Sequence, residues 1–219
     1  MIQLLASILP LALGAAVSPM LFGIEILAVS SGTKPVLRAW AVVAGAALLL
    51  VAYSVVGLVV GSAVHHGPHH RAIDATLDLV AAGLLAILAV RTFVRRHQAS
   101  SKPSLTDRLG DASTLAFLGA GAIGMGTNFS TLVLYLPALR EITKATVSLE
   151  AKILTAVILL LITLVLIWVP ALLVTVLGRR ATPALGAMNR WMSAHTTEVT
   201  LGIELLFIVL LTIKGVGNL

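Results

Sequence analysis

The first apolar run of the chain contains the stretch Leu13-Gly14-Ala15-Ala16-Val17-Ser18-Pro19-Met20-Leu21-Phe22-Gly23, in which small residues and a Ser-Pro pair interrupt the aliphatic side chains. Pro19 has no amide hydrogen, and its ring clashes with the carbonyl four residues earlier. The pattern therefore predicts a bend that leaves the Ala15 carbonyl without its helical partner. Gly14 and Gly23 flank the bend and would let another helix or a ligand approach the backbone.

A second apolar run is interrupted in a similar way by Gly119-Ala120-Gly121-Ala122-Ile123-Gly124-Met125-Gly126-Thr127-Asn128-Phe129-Ser130. Each glycine costs a helix about 1 kcal/mol relative to alanine, so four of them make a continuous helix costly. Thr127 and Asn128 then supply hydrogen-bonding groups to exposed backbone or to a substrate. Broken helices in matching halves of a membrane protein are typical of a transport site, and a role in packing alone is the alternative.

The composition is that of an integral membrane protein. Of 219 residues, 58% are hydrophobic and 11% charged, and the mean hydropathy is +1.04, whereas soluble domains have about a quarter charged residues. The absence of cysteine excludes disulfides, thiolate metal sites and thiol redox chemistry. We predict an all-α membrane protein, because apolar stretches long enough to cross about 30 Å of hydrocarbon occur at 3–30, 36–63, 72–94, 112–139, 149–177 and 198–217.

The basic residues are distributed unevenly between the predicted loops. Ten of the fifteen Lys and Arg residues fall on the side of the first, third and fifth loops. The positive-inside rule places these loops in the cytoplasm and both termini outside, in a bacterial cytoplasmic membrane. The first apolar run has no preceding Lys or Arg, so we expect it to be a retained span and not a secretory signal. The net charge of +6 thus reflects sidedness, and we expect no nucleic-acid partner.

A polar loop that includes residues 95–111 divides the chain into two halves. Residues 1–94 form the first three-helix unit, residues 95–111 a basic cytoplasmic linker, and residues 112–219 the second three-helix unit. Because three spans is an odd number, the two units must have opposite orientations. The sequence therefore predicts six transmembrane helices arranged as two inverted three-helix repeats, with a broken first helix in each repeat.

Two carboxylates lie within predicted spans. Glu25 follows Ser18 by seven residues and shares its helix face, and Glu204 lies about two turns into the last span. A charge inside the bilayer is costly, so such residues usually mark a path for protons, ions or substrate. The alternatives are that Glu25 stays hydrated near the cytoplasmic surface and that Glu204 pairs with a basic residue such as Lys152.

Three further features have less specific patterns. Asp74 and Asp78, one turn apart at the start of the third span, favour a helix N-terminus, and they remain candidate path residues. The tract His65–His70 has a metal-binding composition but no carboxylate of fixed geometry, so we expect a solvated turn and no metal site. The segment 181–195 is predicted either to lie in the membrane interface or to extend the last span.

The sequence lacks the common motifs of nucleotide-binding and hydrolytic enzymes. It contains no Walker loop, no dinucleotide fingerprint and no Ser, His and acid arrangement. We therefore expect neither an enzyme nor a cofactor.

The runs Leu11-Ala12-Leu13-Gly14-Ala15-Ala16-Val17-Ser18-Pro19 and Asn189-Arg190-Trp191-Met192, with the six-span layout, resemble the lysine exporter (LysE) superfamily. Within it, the chain is most similar to the glycopeptidolipid-addressing and sulfolipid-addressing (GAP/Sap-like) branch. The resemblance implies two inverted three-helix repeats that export a solute or help to move an envelope lipid outward, with roles for Ser18-Pro19 and Thr127-Asn128. Family members commonly have proline after the asparagine, whereas Phe129 here leaves open whether the second break is a kink or a glycine-rich unwinding.

These inferences give a leading hypothesis, the export of a cell-envelope lipid or glycolipid through a cavity between the broken helices. Envelope-lipid export machinery and a second copy of the chain are further candidate partners. The alternatives are a LysE-type exporter of an amino acid or divalent cation, and a scaffold for lipid-export machinery that transports nothing. The predicted substrate path comprises Ser18, Pro19, Glu25, Gly124, Gly126, Thr127 and Asn128.

Overall fold

The described part of the chain is helical. The computed structural model describes residues 2–31, 34–63 and 112–217, together with Gly83 and Ile87. Its α-helices in chain order are α1 (Ile2–Ala16), α2 (Pro19–Ser30), α3 (Pro35–Ala63), α4 (Thr114–Gly126), α5 (Phe129–Lys144), α6 (Leu149–Thr163), α7 (Val165–Leu177), α8 (Thr182–Ala194) and α9 (Thr196–Gly217). A 3₁₀ turn, Gly178–Ala181, joins α7 to α8. Within these ranges no strand occurs, and the predicted all-α class is confirmed.

Most of the spans are bent. Among the described residues, only α3 is by itself long and apolar enough to cross a membrane, over Pro35–Leu58. Four helix pairs qualify only together, with bends of 61° between α1 and α2, 70° between α4 and α5, 72° between α6 and α7, and 68° between α8 and α9. Counting each pair as one span gives up to five. The predicted span 72–94 and linker 95–111 lie outside the described residues, so the six-span inverted layout stays a prediction.

The first predicted break is confirmed, and its local chemistry explains it. Pro19 is the first residue of α2. The first amides of a helix have no acceptor within that helix, so the missing amide hydrogen of Pro19 costs α2 no hydrogen bond. Ser18 is extended, and its Oγ accepts a 3.3 Å hydrogen bond from the Leu21 amide as the N-cap of the new helix. The chain therefore starts a new helix here instead of merely bending an existing one.

The second break is also confirmed, but the expected effect of its glycines is wrong. Helix α4 continues through the first three glycines and ends at the fourth, Gly126, with Thr127 as its C-cap. A Cβ on Gly121 would collide with the backbone of Val42, and one on Gly45 with the backbone of Leu118. Gly121 of α4 and Gly45 of α3 thus let the two helices pack backbone to backbone, and this packing offsets the low helix propensity of Gly121.

A third break separates α6 from α7 at Leu164, where the sequence analysis predicts one uninterrupted span. Neither glycine nor proline lies at the break, and Pro170 falls six residues later. The Trp168 indole donates a 2.9 Å hydrogen bond to the Leu161 carbonyl, which a continuous helix would pair with the Val165 amide. The indole thereby satisfies one of the backbone groups that end α6.

The segment 181–195 is a helix in its own right. Helix α8 ends at the turn residue His195, and α9 begins immediately after it at an angle of 68°. The segment therefore does not continue α9 as a straight helix, although α8 and α9 together are long and apolar enough to form one bent span. Whether α8 lies in the membrane interface stays a prediction.

The described ends of the first, third and fifth loops lie at the same end of the molecule, called here the basic end. Arg38 of α3 donates a 2.7 Å hydrogen bond to the carbonyl of Ala112, just before α4. Ser31 and Pro35, at the two ends of the first loop, line one cavity with Gly178 at the start of the 3₁₀ turn in the fifth loop. This grouping agrees with the loop assignment made from the Lys and Arg distribution.

Candidate functional site

A side-chain hydrogen bond joins the two predicted breaks. Ser18 is the N-cap of α2 and Asn128 the N-cap of α5. The Asn128 Nδ2 donates to Ser18 Oγ at 2.7 Å and to Thr131 Oγ1 at the same distance. Two half-helix N-termini from the two halves of the chain thus meet through their capping side chains, and we call this region the break junction.

The Ala15 carbonyl, which lacks its helical partner because of Pro19, accepts a hydrogen bond from a residue at the second break. Thr131 Oγ1 donates a 2.9 Å hydrogen bond to the Ala15 carbonyl and is 1% exposed. The free carbonyl of Ala15 is predicted from the sequence, whereas Thr131 is not among the predicted site residues. The available signal was a hydroxyl three residues after Asn128, which places both side chains on the first turn of one helix.

Glu204 of α9 contacts the start of α5. Its Oε1 accepts a 3.1 Å hydrogen bond from Ser130 Oγ, its Oε2 has no partner, and the residue is 2% exposed. The proposed pairing with Lys152 is wrong, because the Lys152 ammonium donates to the Thr143 carbonyl at 2.7 Å instead. Glu204 therefore extends the polar contacts of the break junction into the last helix.

Glu25 of α2 is 0% exposed, and neither carboxyl oxygen has a hydrogen-bond partner. The alternative that it stays hydrated at the cytoplasmic surface is wrong, since the protein itself encloses it. It lies seven residues after Ser18 on the same face of α2, as the sequence predicts. The structure does not connect Glu25 to the break junction by any hydrogen bond.

The remaining predicted path residues lie near the second break. Gly124 packs against Leu21 and Ile24 of α2, and a Cβ on Gly126 would lie 3.2 Å from the Leu49 side chain of α3. The Thr127 hydroxyl donates to the Ile123 carbonyl at 2.8 Å and so caps the end of α4. These contacts give the glycines and Thr127 structural partners, while their part in a substrate path stays a prediction.

A small cavity, called here the break cavity, lies beside the break junction. Ser18, Met125 and Thr163 line it, so residues next to three different breaks meet around one point. Its volume of about 10 Å³ approaches the minimum needed to hold one water molecule. The buried Thr163 Oγ1 has no hydrogen-bond partner. Ser18 Oγ accepts two hydrogen bonds, and its own hydrogen can still be donated. Both hydroxyls are therefore available to an occupant.

A larger cavity, called here the loop-end cavity, lies at the basic end. Its volume is about 440 Å³, and it is lined by residues from the end of α2 and the start of α3 and by residues around the 3₁₀ turn. The hydroxyl-bearing residues in its wall are Ser30, Ser31 and Thr182. Its volume is typical of small-molecule sites.

Several predicted candidates cannot be placed. Asp74, Asp78 and the tract His65–His70 lie outside the described residues. Within the described ranges, no group of three His, Asp or Glu residues is close enough together to hold a metal ion.

The apolar helices, their bends and the polar contacts concentrated at the breaks define the class: a helical membrane protein with interrupted spans that meet at a polar centre. The family model described as SfLAP, Sap, sulfolipid-1-addressing protein, matches residues 8–217, and the chain belongs to this family. Neither the curated proteins nor the solved structures provide a match. The predicted sulfolipid-addressing branch is confirmed, and the LysE superfamily placement stays a prediction.

Proposed function

We propose that this protein helps to move an envelope lipid or glycolipid across the bacterial cytoplasmic membrane, with the lipid head group passing through the break junction. The carrying observation is the hydrogen bond from Asn128 to Ser18, which places the polar N-caps of two half-helices together inside an apolar protein. N-termini of broken helices are the groups that bind anionic substrate parts in many transporters. Membership of a sulfolipid-addressing family supports a lipid as the cargo.

The helix contacts support the inverted-repeat arrangement that this function implies. Helix α1 packs on α5 and α2 on α4, so each half of one broken helix meets the opposite half of the other. Helix α3 packs on both α4 and α5, as the α6–α7 pair packs on α1 and α2. If α1 and α2 exchange places with α4 and α5, and α3 with the α6–α7 pair, the same set of contacts results. This is the relation expected of two repeats around a two-fold axis.

The position of the junction fits a path through the bilayer. Helix α2 has 12 residues and so rises about 18 Å from the basic end to the break, roughly half of a 30 Å hydrocarbon core or slightly more. The break cavity has room for at most about one water molecule. A head group can pass only when the half-helices separate, and the acyl chains would stay in the lipid phase.

The junction is built in a way that permits such a separation. Side-chain hydrogen bonds inside membrane proteins contribute about 0.6 kcal/mol each on average, so parting Asn128 from Ser18 is not costly. The backbone contacts of Gly45 and Gly121, in contrast, hold α3 and α4 closely together. We propose that α3 and α4 move as one unit while the contacts between the two breaks open and close.

The function is tested by complementing a deletion strain with Asn128→Ala and measuring the envelope lipids extracted from the cell surface by mass spectrometry. We expect surface lipid to fall while its intracellular precursor accumulates. Thr146→Ala is the matched control, because Thr146 is an exposed polar residue in the loop before α6. Unchanged surface lipid at normal protein abundance would contradict the proposal.

Reconstitution separates this function from its alternatives. We expect purified protein in liposomes to move a labelled glycolipid between leaflets, faster than liposomes containing the Asn128→Ala variant. A scaffold would move nothing and would still require its basic loops in cells. An exporter of amino acids or divalent cations would instead release a trapped solute, and each of these outcomes replaces the lipid proposal.

A further inference from the structure

Glu25 occupies a stripe of α2 that connects the two cavities. Leu21 lines the break cavity and Val29 the loop-end cavity, and Glu25 is four residues from each, on the same helix face. The facing helix is α7, whose Ile167 and Val174 line the same two cavities in the same order. Glu25 therefore lies midway along an α2–α7 seam that separates a cavity at the breaks from a cavity at the basic end.

The seam is closed around this carboxyl group. Ala171, between Ile167 and Val174 on α7, is 0% exposed, as is Glu25 itself. Neither oxygen of Glu25 has a hydrogen-bond partner. A neutral carboxylic acid can be accommodated in such packing, whereas an ionised carboxylate requires water or a positive charge that the closed seam does not supply.

Among the residues that the structure describes, the charged and titratable groups on the neighbouring helices do not supply that charge. Helices α4 and α7, both packed against α2, contain no titratable residue. Helix α3 contributes Arg38, which binds the Ala112 carbonyl and lies 5.2 Å from the centroid of the Phe117 ring. Its Tyr53 lies roughly four turns further along α3, and Arg190 of α8 is exposed.

We propose that Glu25 is a proton-binding site and that release of its proton opens the α2–α7 seam and joins the break cavity to the loop-end cavity. The Glu25 carboxyl transfers one proton to water that enters from the loop-end cavity. The resulting carboxylate keeps water in the seam. Rebinding of a proton expels the water and closes the seam. Among the described residues, the helices around Glu25 offer no second carboxylate, whereas a hard cation needs several oxygen ligands, so these residues do not form a metal site there.

The proposal concerns the proton and not the cargo, so it stands or fails independently of lipid movement. It predicts that a probe at Ala171 gains access to water as the pH rises. The natural chain has no cysteine, so Ala171→Cys introduces a single thiol. Its labelling by a water-soluble maleimide is measured on full-length protein in liposomes across a pH series.

The thiol reaction itself depends on pH, so the labelling rate is divided by that of a Thr146→Cys variant, in which the thiol lies in an exposed loop. We expect the ratio to rise with pH in the otherwise natural chain and to stay constant after Glu25→Gln, which mimics the protonated carboxyl. A constant ratio in the natural background overturns the proposal without any Glu25 variant. A rise that persists after Glu25→Gln overturns it as well.

A second measurement detects the proton directly. Infrared difference spectra between low and high pH report the carbonyl stretch of protonated carboxyl groups. Several of the nine Asp and Glu residues can contribute to this region, and we expect one component of it to be abolished by Glu25→Gln and left in place by Glu204→Gln. A spectrum unchanged by Glu25→Gln would show that Glu25 does not exchange a proton in this range and would overturn the proposal.

Discussion

The side-chain nitrogen Nδ2 of Asn128 lies 2.7 Å from Ser18 Oγ, although 110 positions separate the two residues in the chain. Each residue begins a half-helix, so one hydrogen bond connects the two points at which the helices restart. This contact turns two local interruptions into one polar site.

The coupling between Ser18 and Asn128 is expected to be measurable. A double-mutant cycle of Ser18→Ala and Asn128→Ala should give a coupling free energy of about 0.6 to 1.7 kcal/mol, the range of side-chain hydrogen bonds in membrane proteins. Each single variant should lose more than this, because each also loses a helix cap worth about 1 kcal/mol. Unfolding in mixed detergent micelles provides the free energies, and strict additivity would contradict the contact.

Thr131 should be required for its hydroxyl group. Thr131→Val keeps the shape but leaves the Ala15 carbonyl without a donor and removes one acceptor of the Asn128 side chain, and we expect a loss of about 1 to 3 kcal/mol in unfolding free energy. Thr131→Ser keeps the donor and is the matched control, with a smaller loss. Thermal unfolding in detergent measures both, and equal losses would show that the hydrogen bond to Ala15 is not what stabilises this turn.

The glycines of α4 should differ in their tolerance of a methyl group. Gly121→Ala is expected to destabilise the protein by about 1 to 3 kcal/mol, because overpacking forces backbone shifts where its Cβ meets Val42. Gly119 has open space around its Cβ position, so Gly119→Ala should be neutral or should stabilise α4 by up to about 1 kcal/mol. A similar melting temperature for the two variants would contradict the close approach of α3 and α4.

Ser130 should be needed to hold Glu204 in place. Ser130→Ala leaves both carboxyl oxygens of a buried glutamate unpaired, and we expect a loss of about 1 to 3 kcal/mol. In a Glu204→Leu background the same Ser130→Ala change should cost much less, since no carboxyl remains to be satisfied. Melting temperatures of the four proteins test this, and an equal Ser130→Ala effect in both backgrounds would exclude the contact.

Local chemistry is what made part of the site predictable. The missing amide hydrogen of Pro19 and the capping ability of Ser18 act within one turn of the chain, so the first break could be located from its residues. The same holds for the capping pair Thr127 and Asn128. The sequence placed Glu25 on the helix face of Ser18 but left open whether it is hydrated, and only the structure shows that it is buried without a hydrogen-bond partner.

The sequence by itself determined that the chain is an apolar helical membrane protein and that two of its helices break near Pro19 and Asn128, because composition and backbone chemistry are local properties. The tertiary structure alone decided that Thr131 satisfies the Ala15 carbonyl and that Gly121 serves packing instead of unwinding. It also decided that α6 ends at Leu164. These outcomes depend on which helices lie side by side and in what register, and a side chain 116 positions away can satisfy a broken helix only once that register is set.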